Sequence, residues 1–338
     1  MKIGVLGAGS WAIALAVLLE RNGHDVTMWE FSEKDAAMLK TDREHTIKLP
    51  GVHIPEAIAI TTNSLDLFDG PDLIIVAVPA QFVRASMKTL AQSVPAEKLA
   101  AVGGWVIVAK GIEVGTNAIL TDVICEELTM VSHDKLAVLS GPSHAEEVGR
   151  QIPTTVVAAS DNEALATKVQ EAFINDTFRV YTNHDIVGVE LAGSVKNVIA
   201  VAAGICDGLG FGDNTKGALL TRGMVEMARL GKAMGAQEET FSGLAGFGDL
   251  ITTCFSQHSR NRKMGELIAS GIGLEAALAQ MTMVAEGVTT VKSVYSLSQE
   301  LNIDMPITTE IYKALYEGKD AKDAVVDLMG RDKKHERH

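Results

Sequence analysis

Ile3-Gly4-Val5-Leu6-Gly7-Ala8-Gly9-Ser10-Trp11-Ala12, near the N-terminus, is the stretch that decides the expected fold. Its apolar run predicts a β-strand, and the G-x-G-x-x-A pattern that follows opens a helix, as in the first turn of a dinucleotide-binding domain. Gly7 permits the tight turn, Gly9 lets the backbone approach a pyrophosphate, and Ala12 is small enough for close helix packing. An acidic residue, Glu30, follows 21 residues after Gly9 at the end of the second predicted strand. This context favours a dinucleotide site over a purely structural turn.

The composition is that of a globular protein with two domains. Of the 338 residues, 47% are hydrophobic and 22% are charged. A chain of this length is expected to form two domains, each with its own core. The 43 acidic side chains outnumber the 30 Lys and Arg side chains, which gives a formal net charge of −13. Such a surface repels nucleic-acid phosphates and anionic lipids, so we expect no nucleic-acid partner and no integral membrane association.

The cysteines indicate a reducing compartment. Cys125, Cys206 and Cys254 are far apart and odd in number, which is not the pattern of a disulfide framework. Neither they nor the nine histidines show metal-ligand spacing, so we predict no metal site. The apolar run from Ile3 to Leu19 resembles a signal peptide, but its two glycines divide it into a strand and a helix. We therefore expect a cytoplasmic protein.

The chain divides into two parts that differ in their hydrophobic pattern. Up to about residue 180, apolar runs alternate with helical patterns, which predicts a parallel sheet covered by helices. The expected strands are Lys2 to Leu6, Asp25 to Trp29, Leu73 to Val78, Val106 to Ala109, Leu136 to Ser140 and Thr155 to Ala159. From Val187 onward the pattern is almost entirely helical. We predict an α/β fold: an N-terminal Rossmann-like, doubly wound parallel sheet over residues 1–182, followed by an all-α C-terminal domain over residues 183–338.

Several predicted strands end in residues suited to a binding site. These residues are Gly7, Pro79, Lys110 and Gly141, the last within the stretch Ser140-Gly141-Pro142-Ser143. The carboxyl ends of the strands in an open parallel sheet form its ligand crevice. We therefore expect these residues to face one common site.

Lys196 is the strongest candidate for proton transfer. It lies with Asn197 inside an otherwise apolar helical stretch from Leu191 to Gly204. A lysine in such a stretch either extends its charge to water or is partly desolvated. Apart from Ser194 and Asn197, no neighbouring polar residue marks a solvated face, which favours desolvation. Desolvation lowers the pKa of a lysine toward the range useful for acid–base chemistry.

Two further clusters bring charge to the helical half. Asp249 ends the glycine-bounded turn Leu244-Ala245-Gly246-Phe247-Gly248, and Ser259-Arg260-Asn261 begins a basic run in an acidic chain. Arginine suits phosphate because its guanidinium makes paired, charge-assisted hydrogen bonds. The alternative for the basic run is a helix-capping serine followed by a solvated basic face.

Glu30 also bears on cofactor choice. A carboxylate at this position accepts hydrogen bonds from an adenosine ribose but repels a 2′-phosphate. The next residue is Phe31 rather than arginine. We therefore expect NAD to be favoured over NADP, although Arg43 or a loop lysine could compensate for the acidic charge.

Taken together, these motifs resemble the bacterial NAD(P)-dependent glycerol-3-phosphate dehydrogenases over nearly the whole chain. The motifs that carry the resemblance stand in order. They are G-A-G-S-W from Gly7, V-A-K-G from Val108, S-G-P-S from Ser140, G-S-V-K-N-V from Gly193, D-G-L-G-F-G-D-N from Asp207, G-L-A-G-F-G-D-L from Gly243 and S-R-N-R from Ser259.

The resemblance implies roles for matching positions. Lys196 would be the general acid/base in the interconversion of sn-glycerol 3-phosphate and dihydroxyacetone phosphate, which supplies the backbone for phospholipid synthesis. The implied substrate-binding residues are Lys110, Gly141, Ser143, Lys196, Asp249, Ser259, Arg260 and Asn261. The implied cofactor contacts are Ser10, Trp11, Lys110, Ala145, Arg260, Val284 and Glu286, beside Gly7, Gly9, Glu30 and Phe31 from the motif itself. The family's homodimeric assembly is implied as well.

The chain departs from the family pattern at two places. Ala12-Ile13 stands where Gly-Thr is usual, and Phe31 stands where many members carry a basic residue. The second departure puts NADP use in doubt. Two other functions stay open at this point: a β-hydroxyacid-type dehydrogenase with a carboxylate substrate, and a dinucleotide-binding sensor without turnover.

Overall fold

The computed structural model describes residues 1–333, 335 and 336. Lys334, Arg337 and His338, at the end of the predicted second domain, lie outside the described residues. In the described part, the first half of the chain forms a sheet with helices on both faces, and the second half is helical. The last strand ends at Asn183 and the first long helix of the second half begins at Ile186.

The sheet has eight strands in the described residues, formed by short apolar runs. They are β1 (Lys2–Leu6), β2 (Asp25–Trp29), β3 (Ala59–Thr61), β4 (Leu73–Val76), β5 (Trp105–Ile107), β6 (Leu136–Ser140), β7 (Thr154–Ala159) and β8 (Phe178–Asn183). Their order across the sheet is β3-β2-β1-β4-β5-β6-β7-β8. Since β1 is flanked by β2 and β4, the chain reverses direction across the sheet at β1, and the ligand crevice is expected there.

The doubly wound architecture is confirmed, with one departure from an all-parallel sheet. β7 runs antiparallel to β6, pairing Ser140 with Val157, whereas the other neighbouring strands are parallel. The connection between them contains only a short helix, Ala145–Gly149. A parallel return would need a longer crossover, usually a full helix, so β7 starts from the edge where β6 ends.

Seven helices accompany the sheet in the first half of the chain. They are α1 (Ser10–Arg21), α2 (Glu33–Asp42), α3 (Val83–Ser93), α4 (Ala96–Ala100), α5 (Leu120–Glu127), α6 (Ala145–Gly149) and α7 (Glu163–Phe173). α1 is almost wholly apolar and buried, because it packs directly on the sheet behind the glycine-rich turn. Gly9 and Asn22 bound it at its two ends.

Nine helices form the second half as far as the structure describes it. They are α8 (Ile186–Gly208), α9 (Asp213–Ala233), α10 (Glu238–Phe241), α11 (Asp249–Phe255), α12 (Arg260–Ala269), α13 (Leu274–Ala279), α14 (Glu286–Glu300), α15 (Pro306–Tyr316) and α16 (Ala321–Met329). A single π-helical turn, Leu244–Gly248, leads into α11. α8 is long and apolar enough to cross a membrane, but it is buried almost throughout and forms the core of this domain.

Glycines allow α8 and α12 to cross at very short distance. A Cβ on Gly204 would lie 1.8 Å from the carbonyl oxygen of Arg262, and one on Gly265 would lie 2.0 Å from that of Val201. Both contacts are with backbone atoms, which cannot move aside as a side chain would. The close crossing therefore requires glycine at both positions, and it holds the first half of α12 against the C-terminal part of α8.

Glu190 joins the helical domain to the sheet domain. Its Oε1 accepts hydrogen bonds from the backbone amides of Leu120 (2.6 Å) and Thr121 (3.2 Å), and its Oε2 accepts one from Thr121 Oγ1 (2.6 Å). These groups form the first turn of α5, which otherwise lacks a side-chain cap. Burial raises the pKa of Glu190 to about 7, although all three hydrogen bonds act in the opposite direction. A buried carboxyl of α8 thus caps a helix of the other domain.

We predict that Gly204→Ala destabilises the protein by about 3 kcal/mol or more, because the methyl group has no space at the α8–α12 crossing. Gly217→Ala is the matched control: Gly217 lies within α9, and a Cβ there would meet nothing within 4 Å. The control should gain roughly 0.5–1 kcal/mol from helix propensity. Urea unfolding of both variants measures the difference, and equal stabilities would contradict the packing described here.

Candidate active site

The turn between β1 and α1 has the geometry of an anion-binding turn. Gly7 has a φ of +119°, and a Cβ there would lie 3.1 Å from the backbone of Ala77, so only glycine fits. In contrast, a Cβ on Gly9 would meet nothing within 4 Å. The N-cap residue of α1 is Gly9, which has no side chain with which to cap the first amides of the helix. The open space at Gly9 and the free helix N-terminus together suit a pyrophosphate.

A cleft of about 1210 Å³ lies between the two domains and begins at this turn. All the residues that the sequence predicts as cofactor contacts line it. They are Gly7, Gly9, Ser10, Trp11, Glu30, Phe31, Lys110, Ala145, Arg260, Val284 and Glu286. Residues from both ends of the chain are thus brought together along one cleft.

The end of β2 presents an acidic and an aromatic group to the cleft. Glu30 is buried, and its Oε1 accepts a hydrogen bond from the backbone amide of Ser32 at 2.9 Å. The ring of Phe31 is 78% exposed and that of Phe82 is 59% exposed. Both line the cleft, so they offer flat apolar surfaces on which a nucleobase can stack.

The two cations considered as compensation for Glu30 lie in different places. Arg43 donates to the carbonyl oxygen of Ile58 at 3.0 Å and forms an ion pair with Glu56 at 3.0 Å, away from the cleft lining. Lys48 does line the cleft, and its Nζ lies 3.7 Å from a carboxylate oxygen of Asp35. A loop lysine therefore lines the same cleft as Glu30, but it is paired with an acid.

A buried cluster of two lysines and one aspartate lies where the domains meet. Lys196 Nζ donates to Asp249 Oδ1 at 2.6 Å and to Thr253 Oγ1 at 2.5 Å. Lys110 Nζ donates to the other carboxylate oxygen of Asp249 at 2.7 Å and to the carbonyl oxygen of Gly141 at 3.1 Å. Each carboxylate oxygen thus holds one lysine. The end of β5, α8 and α11 contribute these groups.

The cluster shifts the titration of its members. Burial, with repulsion from Lys110, lowers the pKa of Lys196 to about 8, although Asp249 raises it. Burial alone would raise the pKa of Asp249, but Lys110 and Lys196 hold it below its usual value. Asp249 is therefore ionised while Lys196 can exchange a proton near neutral pH.

Arg260 provides a cation at the start of α12. Ser259 caps this helix by accepting a hydrogen bond from the amide of Arg262 at 3.2 Å. Asn261 donates to Asn197 Oδ1 at 2.8 Å and accepts from the amide of Gly287 at 2.9 Å, which ties α12 to α8 and α14. Within the described residues, no carboxylate lies within 4.0 Å of the Arg260 guanidinium. Its charge is therefore available to an anionic ligand lying in the cleft.

Two of the predicted substrate-binding residues, Asp249 and Gly141, do not line the cleft but hydrogen-bond to side chains that do. Asp249 is 2% exposed and lies behind the two lysines. The carbonyl oxygen of Gly141 accepts hydrogen bonds from Lys110 Nζ and, at 3.0 Å, from Ser143 Oγ. Both groups orient side chains that do line the cleft. The others, Lys110, Ser143, Lys196, Ser259, Arg260 and Asn261, all line it.

Buried polar atoms without partners indicate where a ligand fits. In the part of the chain that the structure describes, Trp11 Nε1 and Glu286 Oε2 are buried and make no hydrogen bond. Both residues line the cleft, and Glu286 Oε1 accepts from the amide of Ala80 at 3.1 Å. With the open space at Gly9, these atoms fit a nicotinamide dinucleotide. Among the described residues, no group of three His, Cys, Asp or Glu side chains could hold a metal ion.

Several residues that line the cleft were not predicted from the sequence, among them Phe82, His144, Thr253 and His258. Two of them carried a usable signal: Thr253 lies one helical turn after Asp249, and His144 directly follows Ser143. The positions of the others in the cleft depend on tertiary contacts, which the local sequence does not reveal.

Comparisons with known proteins agree with the resemblance. Residues 2–166 match the family described as NAD-dependent glycerol-3-phosphate dehydrogenase N-terminus, and residues 185–326 match the corresponding C-terminus. Proteins named glycerol-3-phosphate dehydrogenase (NAD(P)+) from Fusobacterium nucleatum and Chlorobium phaeobacteroides are 47% and 51% identical over 336 residues. These matches cover 99% of this chain and 98% and 99% of the two relatives.

A solved structure gives the same result. The crystal structure of glycerol-3-phosphate dehydrogenase from Coxiella burnetii is 35% identical in sequence and has a TM-score of 0.91. The alignment covers 98% of this chain and 99% of that one. Because both halves of the sequence match and the relatives align over their full length, this chain belongs to the NAD-dependent glycerol-3-phosphate dehydrogenase family.

Proposed function

We propose that the protein catalyses the reversible oxidation of sn-glycerol 3-phosphate to dihydroxyacetone phosphate with NAD(P)+, with Lys196 as the general acid/base. The observation that carries this proposal is a buried lysine of lowered pKa in the same cleft as a dinucleotide turn. A bound nicotinamide supplies the hydride acceptor or donor. The protein has to bind, orient and transfer a proton.

Lys196 moves the proton in both directions. In the oxidation, its neutral amine removes the proton of the substrate hydroxyl as the hydride leaves the carbon atom. In the reduction, its ammonium polarises the ketone oxygen and then donates a proton to it. Asp249 holds Nζ in place and remains ionised, so the lysine keeps one orientation in both protonation states.

Arg260 and the start of α12 form the proposed phosphate site. Arg260 brings a cation that has no carboxylate within 4.0 Å among the described residues, although Glu286 and Glu146 act on it from farther away. The helix N-terminus adds favourable backbone dipoles. Asn261 and Ser143 add polar side chains along the same cleft. This local positive site explains how a chain of net charge −13 takes an anionic substrate. Arg260 could also bind a carboxylate, and the similarity to glycerol-3-phosphate dehydrogenases favours the phosphate ester over a β-hydroxyacid.

We place this reaction in the cytoplasm. There the reduction of dihydroxyacetone phosphate supplies glycerol 3-phosphate for phospholipid synthesis. The free cysteines suit a reducing compartment. Fractionation of cells tests the proposed compartment, and labelling of phospholipids from dihydroxyacetone phosphate tests the proposed role in lipid synthesis. Activity confined to an oxidising compartment, or unlabelled lipid, would contradict them.

Replacing Lys196 with methionine keeps the length of the side chain but removes its proton. We expect kcat for dihydroxyacetone phosphate reduction to fall on the order of 10³-fold, because general acid–base catalysis contributes about this factor. NADH binding should be nearly unchanged. Lys232→Met is the control, since the Lys232 side chain is 75% exposed on α9. Absorbance at 340 nm measures turnover, and a Lys196→Met enzyme that keeps most of its kcat would exclude Lys196 as the acid/base.

The lowered pKa of Lys196 predicts opposite pH profiles for the two directions. Oxidation needs the neutral amine, so its kcat/KM should rise as the pH passes about 8, whereas reduction needs the ammonium and should fall there. Asp249→Asn removes the charge that raises the pKa of Lys196, so both inflections should move to lower pH. Steady-state rates from pH 6 to 10 test this, and profiles that change in the same direction would contradict the role assigned to Lys196.

NAD is the proposed preferred cofactor, because Glu30 repels a 2′-phosphate and the nearby Lys48 is paired with Asp35. Glu30→Gln keeps the acceptor for the amide of Ser32 and removes the charge. We expect the ratio of kcat/KM for NADPH over NADH to rise roughly tenfold, which corresponds to about 1.4 kcal/mol. Glu33→Gln, on the exposed side of α2, should leave the ratio unchanged. A higher kcat/KM with NADPH in the parent enzyme would overturn the proposed preference.

The proposed assembly is a homodimer, as the family resemblance implies. Phe247, in the π-helical turn before α11, and Ile251 and Phe255, in α11, are spaced four residues apart and are 47%, 36% and 52% exposed. Such an exposed apolar stripe is typical of an interface between subunits. Light scattering should give twice the 35.9 kDa mass of one chain, and Phe255→Asp should shift the mass toward one chain. A parent protein with the mass of one chain would contradict the dimer.

A further inference from the structure

Two histidines that the proposed mechanism does not use meet across the domain boundary. His144 precedes α6 in the sheet domain, and His258 precedes α12 in the helical domain. Their ring centroids are 5.8 Å apart and their planes are inclined at 55°. Both rings line the same cleft as Lys196. The two domains therefore bring a pair of titratable rings to the cleft.

The two rings differ in environment. His258 is exposed to solvent, whereas His144 is partly buried. His144 Nε2 is a buried nitrogen without a hydrogen-bond partner in the described part of the chain. Burial, followed by the charge of Lys196, lowers the pKa of His144, although Glu146 and Asp249 oppose this. His144 is therefore neutral at neutral pH and has a nitrogen free to accept a proton.

Lys196 needs a route to solvent. Each reduction of the ketone removes one proton from Lys196, which is 5% exposed and has Asp249 and Thr253 as its hydrogen-bond partners. Neither partner is a net proton source, because Asp249 is held ionised and a hydroxyl can only pass a proton on. A dinucleotide and substrate in the cleft would displace water from it. Titratable side chains that border the cleft then offer a route by which the lysine is reprotonated.

We propose that His144 and His258 form a proton relay between solvent and Lys196, an inference that rests on the proposed function. In the direction of ketone reduction, His258 takes a proton from solvent and passes it to His144, which passes it to the neutral amine of Lys196. In the direction of oxidation, the proton moves the other way. No oxidation state changes in the relay. An O–H bond of hydronium or of a buffer acid breaks as the N–H bond of His258 forms, each later step breaks one N–H bond and forms another, and one proton enters for each ketone reduced.

His144→Phe tests the relay, because phenylalanine keeps an aromatic ring but carries no proton. We expect kcat for dihydroxyacetone phosphate reduction to fall about tenfold in a buffer of low concentration, with KM little changed. Added imidazole should restore kcat in proportion to its concentration, since it replaces the missing carrier. His53→Phe, on an exposed residue outside the cleft lining, is the matched control and should neither lose activity nor respond to imidazole.

His258→Ala gives a second test that does not depend on a buried site. It should lower kcat less than His144→Phe does, and imidazole should again restore it. An unchanged kcat in either variant would overturn the relay. A loss that imidazole does not restore, or a raised KM with kcat kept, would also overturn it, because these results indicate a substrate contact. Failure of the proposed function itself would appear differently, as a parent enzyme without ketone reductase activity.

Discussion

The structure depends on one buried arrangement, the carboxylate of Asp249 between the ammonium groups of Lys196 and Lys110. Two cations share one anion at 2.6 and 2.7 Å; Lys196 and Asp249 have almost no access to water, whereas the Lys110 side chain is 18% exposed. Burying such charges is costly unless each is paired and hydrogen-bonded, and here each lysine makes a second hydrogen bond, Lys196 to Thr253 and Lys110 to the carbonyl of Gly141. The three elements that carry these groups must meet at one point, so the cluster constrains how the domains join. Burial, with repulsion from Lys110, keeps the pKa of Lys196 low.

The same constraint explains why the helical domain is packed so tightly around α8. Lys196 has to be held against the end of the sheet, and α8 is fixed there by Glu190, which caps α5, and by the close crossing at Gly204. Asn261 connects the crossing helix α12 to α8 and α14. Arg260 is therefore placed at a defined position relative to Lys196. Packing in the core thus sets the distance between the proposed phosphate site and the proposed acid/base.

Much of the fold follows from local sequence, but strand direction and edge strands do not. β1, β2 and β6 have the predicted bounds, since each is an apolar run that ends at a marked break. The strands were predicted from continuous apolar runs. β3 has only three residues, and β8 alternates buried and exposed positions at the sheet edge, so neither contains such a run and neither was predicted. The apolar context of Lys196 indicated desolvation correctly. Its partner Asp249 is 53 residues away, and no spacing in the sequence could connect the two.

The central claim is that a local cation selects a phosphate ester for reaction beside a buried lysine. The most direct measurement is NADH oxidation at 340 nm with dihydroxyacetone phosphate and, in parallel, with dihydroxyacetone, which lacks the phosphate. We predict rapid oxidation with the phosphate ester and a kcat/KM about 10³-fold lower without it, a difference of about 4 kcal/mol that charge-assisted hydrogen bonds can supply. Equal rates with both ketones, or no oxidation with either by folded protein, would contradict the account.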